Sequence, residues 1–420
     1  MFLFYTYMLM PARVLEQTSV FTLNAPEVAQ AYGVGYPYLP ILEVVMLGYV
    51  LVMWLLRRVT FAVKNLPFAA YVIVSIVCVL FLWARYARGD EPDMWWDGGL
   101  AAVRLIAIYG LFVSIPRDAR SWGRTIQNAL ALLFVSSLLL NLAGFANPNT
   151  PSNEAGRMNA SGLEFTTASY FGYALALSSV TLSTGPRQAL LFLCGILGGV
   201  MAGGRNALLL FGISLGLLML NRGRKPLKSA VPVISCVAGA WLALLVAFPS
   251  ALNRLPIMHR ERDNAIYYPN GVAPTDTTLK FFPFLERLSQ VDPAMTGRFN
   301  AWSTALELLR RRHGVPLASD WYVQQELLPL GLPSHSHNAY LQTLLKFGVL
   351  AVPIWIGLLV TTWRGWRAGS PYAVILVFLM ASLMVDYWLL VIKATFLLFA
   401  IARLNEDWLV ALDHHAADRP

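Results

Sequence analysis

The stretch SHNAYLQTLLKFGVLAVPIWIGLLVTT, residues 336–362, passes from polar sequence into a long apolar run. A helix needs about 20 predominantly apolar residues to cross a bilayer, and the run from Tyr340 to Thr362 is of that length. A polar segment from Pro249 to Asn338 precedes the run, and the sequence before that segment is again apolar. This pattern predicts membrane-spanning helices on both sides of one large loop.

The composition is that of a membrane protein. Hydrophobic residues make up 57% of the chain and charged residues 13%, with a mean hydropathy of +0.56, whereas soluble domains have about 25% charged residues. We therefore expect an all-α, polytopic transmembrane helical protein with about 11–12 spans and short helices in its large loop. The net charge of +9 is spread among apolar segments, so we expect membrane lipids and no nucleic acid as partners.

Eleven apolar runs are candidate spans: Leu39–Leu56, Phe68–Ala84, Gly99–Ile115, Ile126–Phe145, Leu163–Leu182, Ala189–Ala202, Asn206–Leu220, Val231–Phe248, Tyr340–Thr362, Tyr372–Leu390 and Ala394–Arg403. They divide the chain into three parts. Residues 1–248 carry the N-terminal transmembrane helices, residues 249–338 form the large loop, and residues 339–420 carry the C-terminal helices and a tail.

The distribution of basic residues predicts the orientation of these spans. Cytoplasmic loops of membrane proteins carry an excess of Lys and Arg. Strict alternation of the eleven spans brings four basic loops to one side: Arg57, Arg58 and Lys64; Arg117, Arg120 and Arg124; Arg222, Arg224, Lys225 and Lys228; Arg364 and Arg367. The large loop falls on the opposite side. We expect a multi-pass protein of the bacterial inner membrane, with this loop in the periplasm and the C-terminus in the cytoplasm.

Three arginines on the loop side are candidates for binding an anion. Arg205 follows two glycines between two apolar runs, where an ionisable residue is costly; its alternative role is to snorkel to the interface. Arg298 lies in the first turn of a helix-like stretch, where a cation opposes the helix dipole but could hold a phosphate. Arg157 precedes a span and could equally be a loop charge. Together they suggest a polyanionic ligand, most simply a pyrophosphate.

His337 is the candidate base, because histidine titrates near neutrality and can take a proton from a hydroxyl group. It lies just before the span that starts at Tyr340. An alternative is that the segment only caps this helix, since Ser336 and Asn338 are good capping residues. His335 is a weaker candidate for the same role.

Motifs for metals and cofactors are missing from the sequence. It contains no Walker loop, no dinucleotide fingerprint, no zinc-helix motif and no Asp-x-Asp pair. Its three cysteines, Cys78, Cys194 and Cys236, all lie in apolar runs, as buried thiols do. We expect no metal and no cofactor, and we expect arginines to neutralise any diphosphate.

These residues resemble the motifs of the O-antigen ligase and O-antigen polymerase superfamily, which transfers lipid-linked glycans in bacteria. His337-Asn338 is followed after nine residues by Gly348, with Ala351 three residues further on. The other matching segments are Arg298-Phe-Asn-Ala-Trp302, Gly204-Arg205-Asn206, and Arg157 with Gly162. The resemblance runs from Arg157 to Thr362. The chain departs from the family pattern at Lys346, where a Glu is common, at Ala351, and at 313–317, where the family has a glycine-rich turn.

The resemblance implies a metal-independent, inverting transfer of a glycan from undecaprenyl diphosphate to an acceptor hydroxyl on the periplasmic face. It assigns catalysis to His337, Arg298 and Arg205, and binding of the diphosphate and glycan to Arg157, Arg205, Arg298 and Asn338. We expect lipid A–core as the acceptor. The alternatives are a polymerase that extends O-antigen or exopolysaccharide, a transporter or flippase for the lipid-linked sugar, and an inactive homologue.

Overall fold

The structure of the chain is a computed structural model. It describes residues 2–10, 19–22, 38–56, 66–88, 102–107, 119–142, 165–202, 205–221, 296–318, 320–327, 336, 338–386 and 392–417. The fold of these residues is all-α apart from one short strand pair, which confirms the predicted class. The span expected at Val231–Phe248 lies outside the described residues, and of the span at Gly99–Ile115 only a helical segment at 102–107 is described.

The elements follow one another in this order: α1 Phe2–Leu9, β1 Ser19–Thr22, β2 Tyr38–Pro40, α2 Ile41–Leu55, α3 Leu66–Ala87, α4 Ala119–Leu142, α5 Phe165–Leu182, α6 Gly185–Ala202, α7 Arg205–Asn221, α8 Thr296–Arg311, α9 Asp320–Leu327, α10 Ala339–Phe347, α11 Ala351–Arg367, α12 Ala373–Val385 and α13 Ile392–Ala417. The strands β1 and β2 pair antiparallel.

Several helices have the length and apolarity of membrane spans. Among the described residues three segments reach the full length, at Pro67–Ala84, Gly185–Ala202 and Ala339–Arg367. Shorter apolar helices lie at Ile41–Leu55, Asn206–Met219 and Ala373–Val385. The chain is a polytopic helical membrane protein, as its composition predicts. The division at residues 248 and 338 stays a prediction.

Two expected spans differ from the helices that form. The run expected from Tyr340 to Thr362 is interrupted, because α10 ends at Phe347 and Gly348 adopts φ 58° and ψ −144°, which a helix cannot contain. The last helix is longer than expected and continues to Ala417. Polar residues extend it beyond the apolar run, with Arg403 and Asp407 paired one turn apart at 3.3 Å.

Small residues allow α5 and α6 to pack closely. A Cβ added at Gly172 would lie 2.5 Å from the backbone nitrogen of Gly199, and one at Gly195 would lie 2.6 Å from the backbone nitrogen of Ala176. This is the small-xxx-small packing that membrane helices use, because close backbone approach maximises van der Waals contact where no hydrophobic effect acts between helices.

The helices have a common basic end. The hydroxyl of Tyr372, before α12, lies against Gly123 of α4. Leu218 of α7 and Val374 of α12 line one cleft together with residues 366–370. The start of α4, the end of α7 and the turn before α12 therefore lie together. We call this the basic end, and it carries Arg124, Arg187, Arg364 and Arg367.

Charged residues inside the helix array are hydrogen-bonded to groups of other helices or segments. Arg104 donates two hydrogen bonds to the buried carboxylate of Glu43, at 2.6 and 3.0 Å, and the hydroxyl of Tyr7 donates a third at 3.0 Å. The ammonium of Lys393, in α13, donates to the carbonyl of Met10 at 2.6 Å. Because a buried charge is stable only when paired and hydrogen-bonded, this cluster joins α1, α2, the segment 102–107 and α13.

Candidate functional site

Asn338 fixes the start of α10. Its side-chain oxygen accepts the N–H of Leu341 at 3.1 Å, so it is the N-cap of the helix. Its side-chain amide donates to the carbonyl of Met384, near the end of α12, at 2.9 Å. The hydroxyl of Tyr340 donates to the carbonyl of Met380, one turn before Met384 on α12, at 2.9 Å. The N-terminus of α10 is therefore bonded to the C-terminal half of α12.

Ser336 also makes local hydrogen bonds. Its backbone N–H donates to the side-chain oxygen of Gln342 at 3.0 Å, and its hydroxyl donates to the carbonyl of Asn338 at 2.9 Å. Ser336 is fully buried and Asn338 nearly so. The capping role expected for this segment is confirmed at Asn338. His335 and His337 lie outside the described residues, so the role of His337 as a base stays a prediction.

The helix α8 carries Arg298 in its first turn, as the sequence predicts, because the helix begins at Thr296. It packs on α9 and α10 through a small hydrophobic core made of Ala301, Ala305, Leu308, Leu317, Val323, Leu327 and Leu345. The three helices form one unit, which we call the α8–α10 unit.

Backbone hydrogen bonds join the C-terminal end of α10 to the segment that follows α8. The N–H groups of Leu317 and Ala318 donate to the carbonyls of Leu345 and Lys346, at 3.0 and 2.7 Å. The N–H of Val349 donates to the carbonyl of Gly314 at 3.3 Å. Any side chain at Gly348 would collide with that same carbonyl oxygen. Crowding by the 314–316 backbone and the positive φ together explain why glycine stands at this motif position.

The helices α8 and α10 begin at the same end of the α8–α10 unit. Gly314, three residues after the end of α8, meets Val349, just after the end of α10. Ala301 of α8 and Leu341 of α10 contact the same hydrophobic core, so the helices lie side by side. The first turn of α8, with Arg298, therefore points toward the end of the molecule where α10 starts.

Arg205 lies toward this end as well. It is the first residue of α7, which packs on α12. Because the end of α7 meets the start of α12 at the basic end, the two helices are antiparallel, and Arg205 lies toward the end of α12. That is where the carbonyl of Met384 binds Asn338. We call this end, opposite the basic end, the site end.

The structure thus brings three of the predicted positions to one end of the helix array, namely Arg205, Arg298 and Asn338. For the two arginines it describes the backbone and not the side chains. Arg157 lies outside the described residues. Asp386, for which the sequence predicted no role, is buried and caps the C-terminus of α12 at the site end. Its signal was present in the sequence as an isolated acid within an apolar run.

Fold and site together define a helical membrane protein in which Arg205, Arg298 and Asn338 lie at the end opposite the basic end. Residues 190–356 match the family model described as O-Antigen ligase. The matched segment includes Arg205, Arg298, His337 and Gly348, and it confirms the resemblance to the O-antigen ligase superfamily over that part of the chain. A search of curated proteins found no match. The similarity supports an enzyme that acts on lipid-linked glycans in the manner of a ligase or a polymerase.

Proposed function

We propose that the chain transfers a glycan from undecaprenyl diphosphate to an acceptor hydroxyl, and that the reaction takes place at the site end. One observation carries the proposal: helix packing directs Arg205, Arg298 and the start of the motif helix α10 toward the same end. An anionic, lipid-linked donor needs cations beside the membrane surface, and this arrangement supplies them from distant parts of the chain.

The proposed chemistry is an inverting substitution at the anomeric carbon. The acceptor oxygen forms a bond to that carbon while the bond to the diphosphate oxygen breaks, and the electron pair leaves with the diphosphate. His337 takes the proton of the acceptor hydroxyl. Arg205 and Arg298 stabilise the charge that grows on the leaving diphosphate, a contribution worth about 3–4 kcal/mol per donor in comparable sites. Arg157 binds the same ligand.

Asn338 has a structural task in addition to its proposed place near the glycan. Its oxygen caps α10 and its amide group bonds to α12, and it directly follows His337 in sequence. We infer that it orients the backbone that carries the imidazole, and that any glycan contact uses hydrogen-bonding capacity left over from these two bonds.

The arginines of the basic end support a cytoplasmic assignment for that end. Arginines at the start of α4, the start of α6 and the end of α11 gather there, and cytoplasmic loops are rich in Lys and Arg. The site end would then face the periplasm, in the inner membrane of a bacterium. Labelling of single cysteines with an impermeant thiol reagent in intact cells tests this, because a cysteine at Asn206 should react and one at Ala368 should not.

The acceptor we propose is lipid A–core, with a polymerase of the same superfamily as the alternative. Purified protein should be supplied with a lipid-linked glycan and, in parallel, with lipid A–core or with a second lipid-linked glycan. A single addition to lipid A–core supports ligation. A ladder of longer lipid-linked products that forms without lipid A–core identifies a polymerase instead.

The bonding of the charged residues inside the helix array favours glycan transfer over transport. A transporter places ionisable groups at a substrate site near the bilayer midplane. Glu43 and Arg104 instead bond to each other, and Lys393 bonds to the carbonyl of Met10. These bonds are typical of a structural cluster. The bond from Lys393 attaches α13 to the end of α1.

A further inference from the structure

Lys346 stands two residues before Gly348, at a position where the family that this chain resembles commonly has a Glu. Its ammonium group forms an ion pair with the carboxylate of Asp320 at 2.5 Å, and the two side chains are only 13% and 22% exposed. A Glu at this position would repel Asp320, since like charges at this distance are unfavourable. The lysine that replaces the usual Glu therefore has an acidic partner, Asp320, on the neighbouring helix α9.

The pair attaches α9 to α10 at a place where the backbone is already joined. Asp320 is the first residue of α9, and the carbonyl of Lys346 accepts the N–H of Ala318 at 2.7 Å. Lys346 thus bonds through its backbone to Ala318, two residues before α9, and through its side chain to Asp320, the first residue of α9. The carboxylate of Asp320 also lies at the helix N-terminus, where a negative charge is favourable.

A second ion pair holds α9 from the other direction. Arg312, just after α8, donates to the carboxylate of Glu326 at 2.6 Å. These side chains are more exposed, at 24% and 41%, so solvent screens the pair more strongly. In both pairs α9 contributes the acid, and the base comes from the end of α8 or α10. The helix α9 lies between them, with Val323 fully buried in the shared core.

We propose that Lys346 and Asp320 are positioning residues for glycan transfer. They clamp α9 to α10, and through the shared core they hold α8 alongside α10, so that the first turn of α8 presents Arg298 at the site end. Neither residue touches substrate in this scheme. The inference rests on the proposed function for its catalytic consequence, whereas the clamp itself is a property of the fold.

A charge exchange tests the clamp. Val323→Cys is introduced into a chain whose native cysteines are replaced by Ala, and its reaction with a maleimide is followed in purified protein. Lys346→Glu and Asp320→Lys should each raise the labelling rate about tenfold, because the core around Val323 opens. The double exchange Lys346→Glu/Asp320→Lys should restore the rate to within about threefold of the parent chain.

Glycan transfer is measured with the same four chains. Each single exchange should lower kcat about tenfold with little change in the donor KM, and the double exchange should recover most of the loss. The matched control is Arg312→Glu with Glu326→Arg, the more exposed pair, whose single exchanges should change both readouts only about twofold. If the single exchanges only damaged the fold, the double exchange would lower kcat further. Recovery of kcat by the double exchange therefore shows that the loss came from this ion pair.

The outcomes distinguish the clamp from the proposed function. Recovery of labelling and transfer together supports the inference. Single exchanges that leave labelling unchanged, a double exchange that recovers neither readout, or labelling that rises while kcat stays unchanged would each overturn it. If the parent chain transfers no glycan to any acceptor, the proposed function fails. A labelling rate at position 323 that the double exchange restores would still support the clamp.

Discussion

The two ends of α10 are held by different kinds of bond. At the start of the helix, side chains make the bonds, since Asn338 caps the helix and reaches the carbonyl of Met384. At its end, backbone groups add to the side-chain ion pair of Lys346 and Asp320, and Gly348 is required because the carbonyl of Gly314 occupies the space of a side chain. Substitutions at the start should therefore impair chemistry more than folding, and a substitution at Gly348 should do the reverse.

The largest effect should come from the charged positions at the site end. Arg205→Ala, Arg298→Ala and His337→Ala should each lower glycan transfer by about a hundredfold or more, because each removes a group that acts on developing charge or on the transferred proton. The protein should still insert into the membrane in normal amounts. Transfer by purified variants and their level in membranes are the measurements.

Arg310→Ala is the matched control, because Arg310 lies on the same helix as Arg298 but its side chain is 72% exposed and pairs within the helix. Its activity should be close to that of the parent chain. Lys at position 298 should rescue poorly if the guanidinium binds the diphosphate through two hydrogen bonds. Normal transfer by the Arg205 or His337 variant would refute the roles assigned to them.

Gly348→Ala should have the largest effect on stability. The backbone at φ 58° and ψ −144° is one that alanine adopts at a cost of about 1–3 kcal/mol, and the added methyl group also meets the Gly314 carbonyl. We expect a loss of at least about 2 kcal/mol in the free energy of unfolding. Thermal unfolding of detergent-purified protein is the measurement.

Gly369→Ala provides the comparison for Gly348. Gly369 also has a positive φ, 69°, but nothing would lie within 4 Å of an added Cβ. Its cost should be limited to the backbone conformation, about 1–2 kcal/mol. Equal losses at the two glycines would mean that the 314–316 segment does not crowd Gly348, and the account of this end of α10 would be wrong.

Asn338→Ala should have a smaller effect on stability, about 1 kcal/mol from the lost cap, together with a fall in transfer because His337 precedes it. Asn338→Asp keeps the accepting oxygen of the cap and removes the N–H that donates to Met384. The carboxylate would then face the carbonyl of Met384 in a buried place, so the variant should lose about 1–3 kcal/mol of stability and transfer more slowly. Full activity in Asn338→Asp would show that the bond to α12 has no part in orienting the site.

The smallest effect should be a pH dependence that arises in the middle of α8. Hydrogen bonds from Arg310 and Arg311 lower the pKa of Glu307 from an ordinary 4.5 to about 2. A depressed carboxyl pKa contributes stability that is present above pH 4.5 and is lost as the pH falls toward 2. The unfolding temperatures of the parent chain and of Glu307→Gln should therefore differ above pH 4.5 and converge toward pH 2. A constant difference throughout would argue against these bonds.

Most of the apolar helices were predictable because each is recorded in a local pattern of apolar residues. The starts of α7 and α8 at Arg205 and Thr296 also agree with the sequence. The interruption at Gly348 was not predictable, since apolar residues continue on both sides of it and its cause is the approach of Gly314 from a distant segment. The same holds for Glu43 and Arg104, and for the bond from Asn338 to Met384, because sequence patterns do not show which distant groups meet.

Of the candidate site, the residue types and their common side of the membrane were predictable, and the packing that brings them to one end was not. The sequence indicates which cations and which imidazole could act, but only the antiparallel packing of α7 on α12 and the parallel course of α8 and α10 bring Arg205, Arg298 and Asn338 to one end. The contributions of Arg157 and His337 stay predictions.

Cross-linking of paired cysteines with a short bifunctional thiol reagent tests most directly whether the distant segments meet. Cysteines at Arg205 and His337, and at Arg298 and His337, should be joined rapidly in purified protein, whereas a cysteine at Arg205 should not be joined to one at Arg367 of the basic end. Efficient joining of positions 205 and 367, with none to 337, would mean that no common site exists at that surface.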